Sequence, residues 1–290
     1  MPAGEFTIQE VADLLGVHYM TAYRYVRTGA LPARQVGARW LVAAADVEAL
    51  RAPRTASRPG RPAGGGVSSL VKARPHLRSR LVAGDEAGAW TLIHKALAVG
   101  GSPAAVYMDL LAPALQEVGD DWAAGRLQVA GEHRATAVAV RIVGRMGPLF
   151  ARRGRPRGTV VVGVVAPDRH ALPAAMLSDM VRNGGFQVLD LGADAPVESF
   201  VESAAGASRL VAVMIGATVT GMEGPVSAAV TALRSAGVAA PVLVGGAGVA
   251  GAVAARAAGA TGWSGWTGRT ALAALEAVAP VRRPPPRPVP

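Results

Sequence analysis

The 290-residue sequence predicts a multidomain chain: a winged helix-turn-helix, a four-helix bundle and an α/β domain on a parallel five-stranded sheet. Three observations predict it. Residues 52–67, APRTASRPGRPAGGGV, are too rich in Pro and Gly to bury a helical face, and they set a short first module apart. Residues 79–150 carry Ala, Leu and Val at three- and four-residue spacing, with breaks at Gly84, Gly100-Gly101 and Gly125. Residues 158–279 alternate apolar runs with helical patterns, as parallel strands joined by crossover helices do. A second break, ARRGRPR at 151–157, parts the bundle from the sheet. The expected layout is therefore 4–51 as first module, 52–78 as basic Pro/Gly linker, 79–150 as bundle and 158–279 as sheet domain. Residues 280–290, PVRRPPPRPVP, read as a disordered tail near polyproline II.

Composition bounds the chemistry. Half the chain, 51%, is hydrophobic and 17% is charged, enough for buried cores. There is no cysteine, which excludes disulfides, thiolate metal sites and a Cys nucleophile. No run reaches the roughly 18 apolar residues of a membrane span. The start, MPAGEFTIQE, has neither the basic nor the apolar stretch of a secretory signal, so a cytoplasmic protein is expected. Net charge is +10 and uneven. Residues 1–50 hold four Arg against five acids, residues 51–80 eight Lys/Arg and no acid, residues 151–157 four Arg, and residues 281–290 three. Basic linkers either aid solubility or contact phosphates without sequence choice.

In the first module Thr7 and Glu10 form a capping-box pair ahead of the apolar face Ile8, Val11, Ala12, Leu14 and Leu15. Gly16 ends that helix. A second helix runs from about Tyr19 to Thr28, with Ala22, Tyr23 and Val26 inward and Tyr19, Thr21, Arg24 and Arg27 accessible. GARWLV (37–42) reads as a short β-hairpin, and Asp46 caps a last helix. Two short helices around a Gly turn match a helix-turn-helix, whose second helix presents polar and basic side chains to double-stranded DNA. This module resembles the MerR/excisionase type of winged helix-turn-helix. The resemblance implies that the second helix reads the groove and that the wing, near Arg39 and Trp40, touches the backbone. The other reading is a small module that binds protein.

In the bundle three residues stand out: Trp122, and the adjacent Glu132 and His133. Taken alone, Trp122 reads as core packing and Glu132-His133 as a solvated helical pair. In the sheet domain, GTVVVGVVA (158–166), FQVLDLG (186–192), LVAVMIGA (210–217) and PVLVGG (241–246) read as strands, with a short fifth near 260–262. The pattern is flavodoxin-like, of the Rossmann type, but no phosphate-binding G-x-G-x-x-G follows the first strand. Instead the strand ends offer Asp168 and His170, then Thr218 and Thr220, then Gly245-Gly246. A carboxylate two residues before an imidazole can fix its tautomer for metal ligation. Glycines admit a bulky ligand, and hydroxyls bond its polar groups.

These strand ends resemble the cobalamin-binding domain, whose mark is D-x-H-x-x-G with a Ser/Thr element and a Gly-Gly on the same strands. The resemblance makes His170 the lower axial ligand of cobalt and places the ligand's tail beside strands one, three and four. Pro173 stands where that pattern has Gly. With all three modules in order, the chain resembles the B12-dependent, light-responsive transcriptional regulators of the MerR family. Trp122 followed by Glu132-His133 matches their W-x9-E-H spacing, which implies contact with the upper face of adenosylcobalamin. The family reading implies a non-enzymatic repressor on operator DNA. It self-associates as dimer or tetramer in the dark and comes apart when light breaks the cobalt–carbon bond. Ala123 replaces the histidine that follows the Trp in that family. Four alternatives stay open: a cobalamin sensor without light switching, a site for another tetrapyrrole, a ligand-free scaffold, and a corrinoid methyl carrier.

Overall fold

The computed structural model describes residues 4–15, 22–23, 25–26, 31–36, 39–51 and 64–280. The chain forms two compact units, Met1–Pro62 and Ala63–Pro290. The expected tail lies outside the described residues except for Pro280.

The first unit contains β1 (Glu5–Thr7), α1 (Ile8–Leu15), β2 (Arg34–Val36), β3 (Arg39–Ala43) and α2 (Ala44–Arg51). Thr7 and Glu10 cap α1 reciprocally: the Thr7 amide donates to Glu10 Oε2 at 2.7 Å, and the Glu10 amide to Thr7 Oγ1 at 3.4 Å. The expected hairpin gains a third strand, in the order β1-β3-β2, all antiparallel. Residues before the helix pair along β3, and Glu5 and Arg34 hold the two outer strands in a 2.7 Å ion pair. Asp46 does not precede the last helix; it stands in the first turn of α2. Ile8, Val11, Ala12, Ala22, Leu31, Val42 and Val47 make the core, with Tyr23 and Val26 packed against it.

In the second unit the linker expected over 52–78 gives way at Gly64 to a helix, α3 (Gly64–Ala83). Pro75 lies inside it. An interior proline costs about 3 kcal/mol. Leu70, Leu77 and Leu81 fall on one face at seven- and four-residue spacing and are all buried. Each contributes about 1.5–3 kcal/mol, so burial outweighs the proline. At the expected break, Gly84 turns the chain at φ 77° and Asp85 caps α4 (Glu86–Ala98) by accepting from the Gly88 amide. Next come α5 (Pro103–Ala105), a π segment (Val106–Leu111), α6 (Ala112–Ala123) and α7 (Val129–Met146). Their shared core includes Ile93, Leu110, Leu111 and Ile142.

The sheet region runs β4 (Thr159–Val164), α8 (Ala171–Asn183), β5 (Gln187–Asp190), α9 (Val197–Gly206), β6 (Leu210–Gly216), α10 (Glu223–Ser235), β7 (Val242–Gly245), α11 (Ala252–Ala257), β8 (Gly262–Trp263) and α12 (Gly268–Val278). The five strands are parallel in the order β5-β4-β6-β7-β8. Val161, Val213 and Val244 pack on one face with residues of α9 and α10; Val160, Val162 and Met214 pack on the other with α8 and α12. The order reverses between β4 and β6, which opens a crevice at the carboxyl ends of those strands. The helical layer docks on α8 and α12 through Met176, Met180 and Leu272. No helix among the described residues is long and apolar enough to cross a membrane.

Candidate functional site

The crevice is organised by one carboxylate. Asp168, on the turn after β4, is 2% exposed. Its Oδ1 accepts from the His170 amide at 3.1 Å and from His170 Nδ1 at 2.7 Å. Its Oδ2 accepts from the Thr218 amide at 2.5 Å and from the Thr218 hydroxyl at 2.8 Å. Burial pushes this carboxyl up, but the hydrogen bonds from Thr218 and His170 outweigh burial and hold it below the ordinary aspartate value. The charged carboxylate can only accept, so Nδ1 carries the proton and Nε2 keeps its lone pair. The His170 side chain is 62% exposed, so that lone pair is open to a ligand. His170 stands at the N-cap position of α8 with its side chain turned to Asp168 rather than to the helix amides, and Pro173 sits in the first helical turn, where the fold asks no amide hydrogen of it.

A lone oriented imidazole suits a particular kind of metal. Among the described residues no group of three or more His, Cys, Asp and Glu gathers to hold a bare ion. The donor set therefore fits a metal whose other ligands come with it, as in a tetrapyrrole.

The expected glycine and hydroxyl roles divide. Thr218 joins the cluster; Thr220 is exposed in the following turn, with no hydrogen bond to the cluster. Gly245 and Gly246 serve the protein itself. A Cβ on Gly245 would lie 2.1 Å from Ser264 Oγ, and one on Gly246, at φ 102°, would lie 2.2 Å from the Ala217 carbonyl oxygen. The Gly246 amide donates to the Gly265 carbonyl at 2.9 Å. These glycines thus let three strand-end loops close on one another.

On the helical layer, Trp122 ends α6 and is 50% exposed, so core packing does not account for it. Glu132 and His133 stand in the first turns of α7. His133 Nδ1 is 2.9 Å from Glu132 Oε2 and 3.1 Å from the Val129 carbonyl, and Thr136 donates to Glu132 at 2.7 Å. These bonds are local, and among the described residues none reaches Asp168, His170 or Thr218. In the first unit, Tyr19, Thr21, Arg24 and Arg27 lie outside the described residues, as does the side chain of Arg39. Trp40 is half-buried against the module's core, on the middle strand β3.

Sequence reasoning missed the junction between the helical layer and the sheet. Tyr107 of the π segment is fully buried and donates to Asp179 of α8 at 2.8 Å, and Arg182 holds the same carboxylate at 2.9 Å. Burial, then the Asp179 contact, pushes the Tyr107 phenol far up, so it stays a donor. Two residues on, Asp109 accepts from Arg269 of α12 at 2.7 Å. The signal available was an aromatic and an acidic residue two apart, Tyr107 and Asp109, inside an apolar run.

Comparison with known proteins agrees with this division. Residues 5–55 match a helix-turn-helix domain, and residues 75–146 and 158–276 match two B12 binding domain families. A trimethylamine corrinoid protein of Methanosarcina acetivorans is 29% identical over 123 residues, covering 41% of this chain and 57% of that one. A dimethylamine corrinoid protein of Methanosarcina barkeri is 31% identical over 96 residues, 32% of this chain and 45% of that one. The chain thus spans about half the length of these relatives. The solved monomethylamine corrinoid protein of Methanosarcina barkeri shares the fold: TM-score 0.61 at 23% identity, over 70% of this chain and 96% of that one. The chain therefore joins a helix-turn-helix domain to a B12-binding region, and cobalamin is the cofactor of that region.

Proposed function

We propose that the protein is a cytoplasmic, DNA-binding transcriptional repressor of the MerR type. Its oligomeric state and hold on operator DNA are set by adenosylcobalamin. One observation carries the reading: a helix-turn-helix domain and a B12-binding region share one chain. A reader with four Arg against five acids over residues 1–50 binds weakly alone. Self-association as dimer or tetramer raises its effective concentration on paired half-sites. The output is binding, not turnover.

His170, oriented by Asp168 and Thr218, is the residue that would hold cobalt. Trp122, Glu132 and His133 would contact the bound ligand as well, Trp122 by packing on the adenosyl group and Glu132 by bonding its polar atoms. Bound adenosylcobalamin supplies a cobalt–carbon bond that light breaks. The half-exposed Trp122 would be the residue of the helical layer that couples loss of this contact to assembly. Ala123 favours a second reading, cobalamin sensing without light, because no imidazole follows Trp122 directly.

The test is direct. Purified protein is loaded with adenosylcobalamin in the dark, freed of excess ligand, and followed by absorption spectrum, elution volume and operator binding before and after green light. A spectral change with a drop in size and lost DNA binding supports the light-switched repressor. Bound corrinoid with no change in size leaves the sensor alone. Absence of bound corrinoid sinks both.

A further inference from the structure

The amino-terminal edge of the sheet lies opposite the strand ends that carry Asp168, His170 and Thr218. It displays a basic loop that neither the cofactor site nor the core uses. Residues 151–157, ARRGRPR, hold four arginines and no acid. The loop is anchored on both sides. Before it, buried Phe150 stacks on Tyr107 with ring centroids 4.8 Å apart. At its end, Arg157 lies over the Phe186 ring at 4.3 Å and pairs with Glu276 through bonds of 2.5 and 2.8 Å. From just before β6, Arg209 donates to the Pro156 and Arg157 carbonyls at 3.2 and 2.9 Å.

The charges in this cluster are not balanced. Glu276 answers Arg157. Arg152, Arg153, Arg155 and Arg209 are exposed, and among the described residues none of the four forms an ion pair. Arg209 is held at φ 53°, a left-handed backbone that glycine or asparagine adopts more readily. Such a conformation persists only where the surroundings over-determine it. Here it places a fourth guanidinium on the same edge. The loop offers almost no apolar surface; Ala151 is its one apolar side chain besides Pro156.

We infer that Arg152, Arg153, Arg155 and Arg209 form a second DNA-contacting surface, which grips backbone phosphates of duplex DNA. Planar guanidinium forks match phosphate oxygens, and a loop without apolar anchors suits a polyanion better than a protein groove or a lipid interior. The near-neutral first module needs phosphate contacts from elsewhere in the chain. The inference rests on the DNA-binding reading of residues 5–55. It concerns a surface in the other unit, so the two can fail separately.

The experiment is a salt titration of full-length protein on a fluorescently labelled, mixed-sequence duplex, followed by anisotropy. Each lost phosphate contact flattens the log affinity against log salt slope by about 0.9. Arg152→Ala/Arg153→Ala/Arg155→Ala is expected to flatten it by about 2.7, and each single variant by about 0.9. Arg→Lys at all three positions is expected to restore the slope. Unchanged far-ultraviolet circular dichroism and cobalamin uptake establish that the variants fold, and the singles serve if the triple variant does not. A triple-variant slope equal to the native one overturns the surface while leaving the helix-turn-helix reading intact. Failure of the native protein to bind the duplex even at low salt overturns both.

Discussion

Asp168 accepts four hydrogen bonds while almost wholly buried, so it joins the ends of β4 and β6 and fixes His170 at once. Asp168→Asn keeps the shape but puts an amide donor against donors. The expected cost is about 1–3 kcal/mol by urea unfolding. Cobalamin affinity is expected to fall about 10–100-fold, as when the partner of a metal-bound histidine is removed. His170→Ala is expected to leave stability near native, since the imidazole is mostly exposed, but to change the absorption spectrum of bound corrinoid. Equal spectra would remove His170 from cobalt. The glycines divide by what surrounds them. Gly246→Ala drives a Cβ into the Ala217 carbonyl at a positive φ, and about 3 kcal/mol is expected. Gly221→Ala meets nothing within 4 Å and pays only for its φ of 82°, about 1–2 kcal/mol. Chemical denaturation of the pair checks the order. The Asp-x-His spacing and the Thr after the third strand were legible because adjacent parallel strands must end side by side. The packing of Gly245 and Gly246 against Ser264 and Ala217 was not legible, because sequence does not tell which neighbour fills the space a side chain leaves.

At the scale of elements, the error at α3 has a physical cause. Its stretch is locally basic, starts on three glycines and contains Pro75, all of which argue for a linker. Only tertiary burial of Leu70, Leu77 and Leu81 reverses that, and their spacing was the signal available. The charges assigned to a linker are then partly used within the helical layer: Arg74 faces Glu117 at 3.6 Å, Arg80 pairs with Asp85, and Arg78 pairs with Asp121. Asp121 precedes Trp122 and also takes Arg126, so it ties the end of α6 to both α3 and the loop ahead of α7. Hydrogen bonds from Arg126 and then Arg78 hold its carboxyl below the ordinary value of 3.8. A depressed folded value gives stability that is fully present above 3.8 and lost as pH falls through the folded value. The native protein is therefore expected to exceed Asp121→Asn in urea midpoint at neutral pH. The gap should close below pH 3.8. A gap that persists into strong acid would mean that packing, not charge, holds this end of α6. The π segment was beyond sequence reading for a related reason: its role rests on Asp179 and Arg269, which lie 72 and 160 residues from their partners.

For the whole molecule, two compact units with different ligands make a thermodynamic prediction. A cofactor that binds only the folded second unit adds about 2.7 kcal/mol at one hundred times its dissociation constant. For a unit of this size each kcal/mol moves the melting point by about 2–4 °C, so a rise of about 5–11 °C is expected in the larger calorimetric transition. Duplex DNA is expected to raise the smaller transition, that of the first unit. The informative case is the cross effect. If cobalamin controls DNA binding only by assembling chains, the smaller transition stays fixed when cobalamin is added without DNA. DNA affinity then rises with protein concentration, because linked readers gain effective concentration and each reader keeps its own affinity. If cobalamin acts on the reader within one chain, the smaller transition moves with the larger one even at protein concentrations too low for assembly. By linkage, DNA then raises cobalamin affinity by the same factor. Calorimetry of the full chain at two protein concentrations, with and without adenosylcobalamin in the dark, separates the two mechanisms. The near-neutral reader, with four Arg against five acids over residues 1–50, favours the first, since a module with so little net positive charge gains most from being held beside another copy of itself.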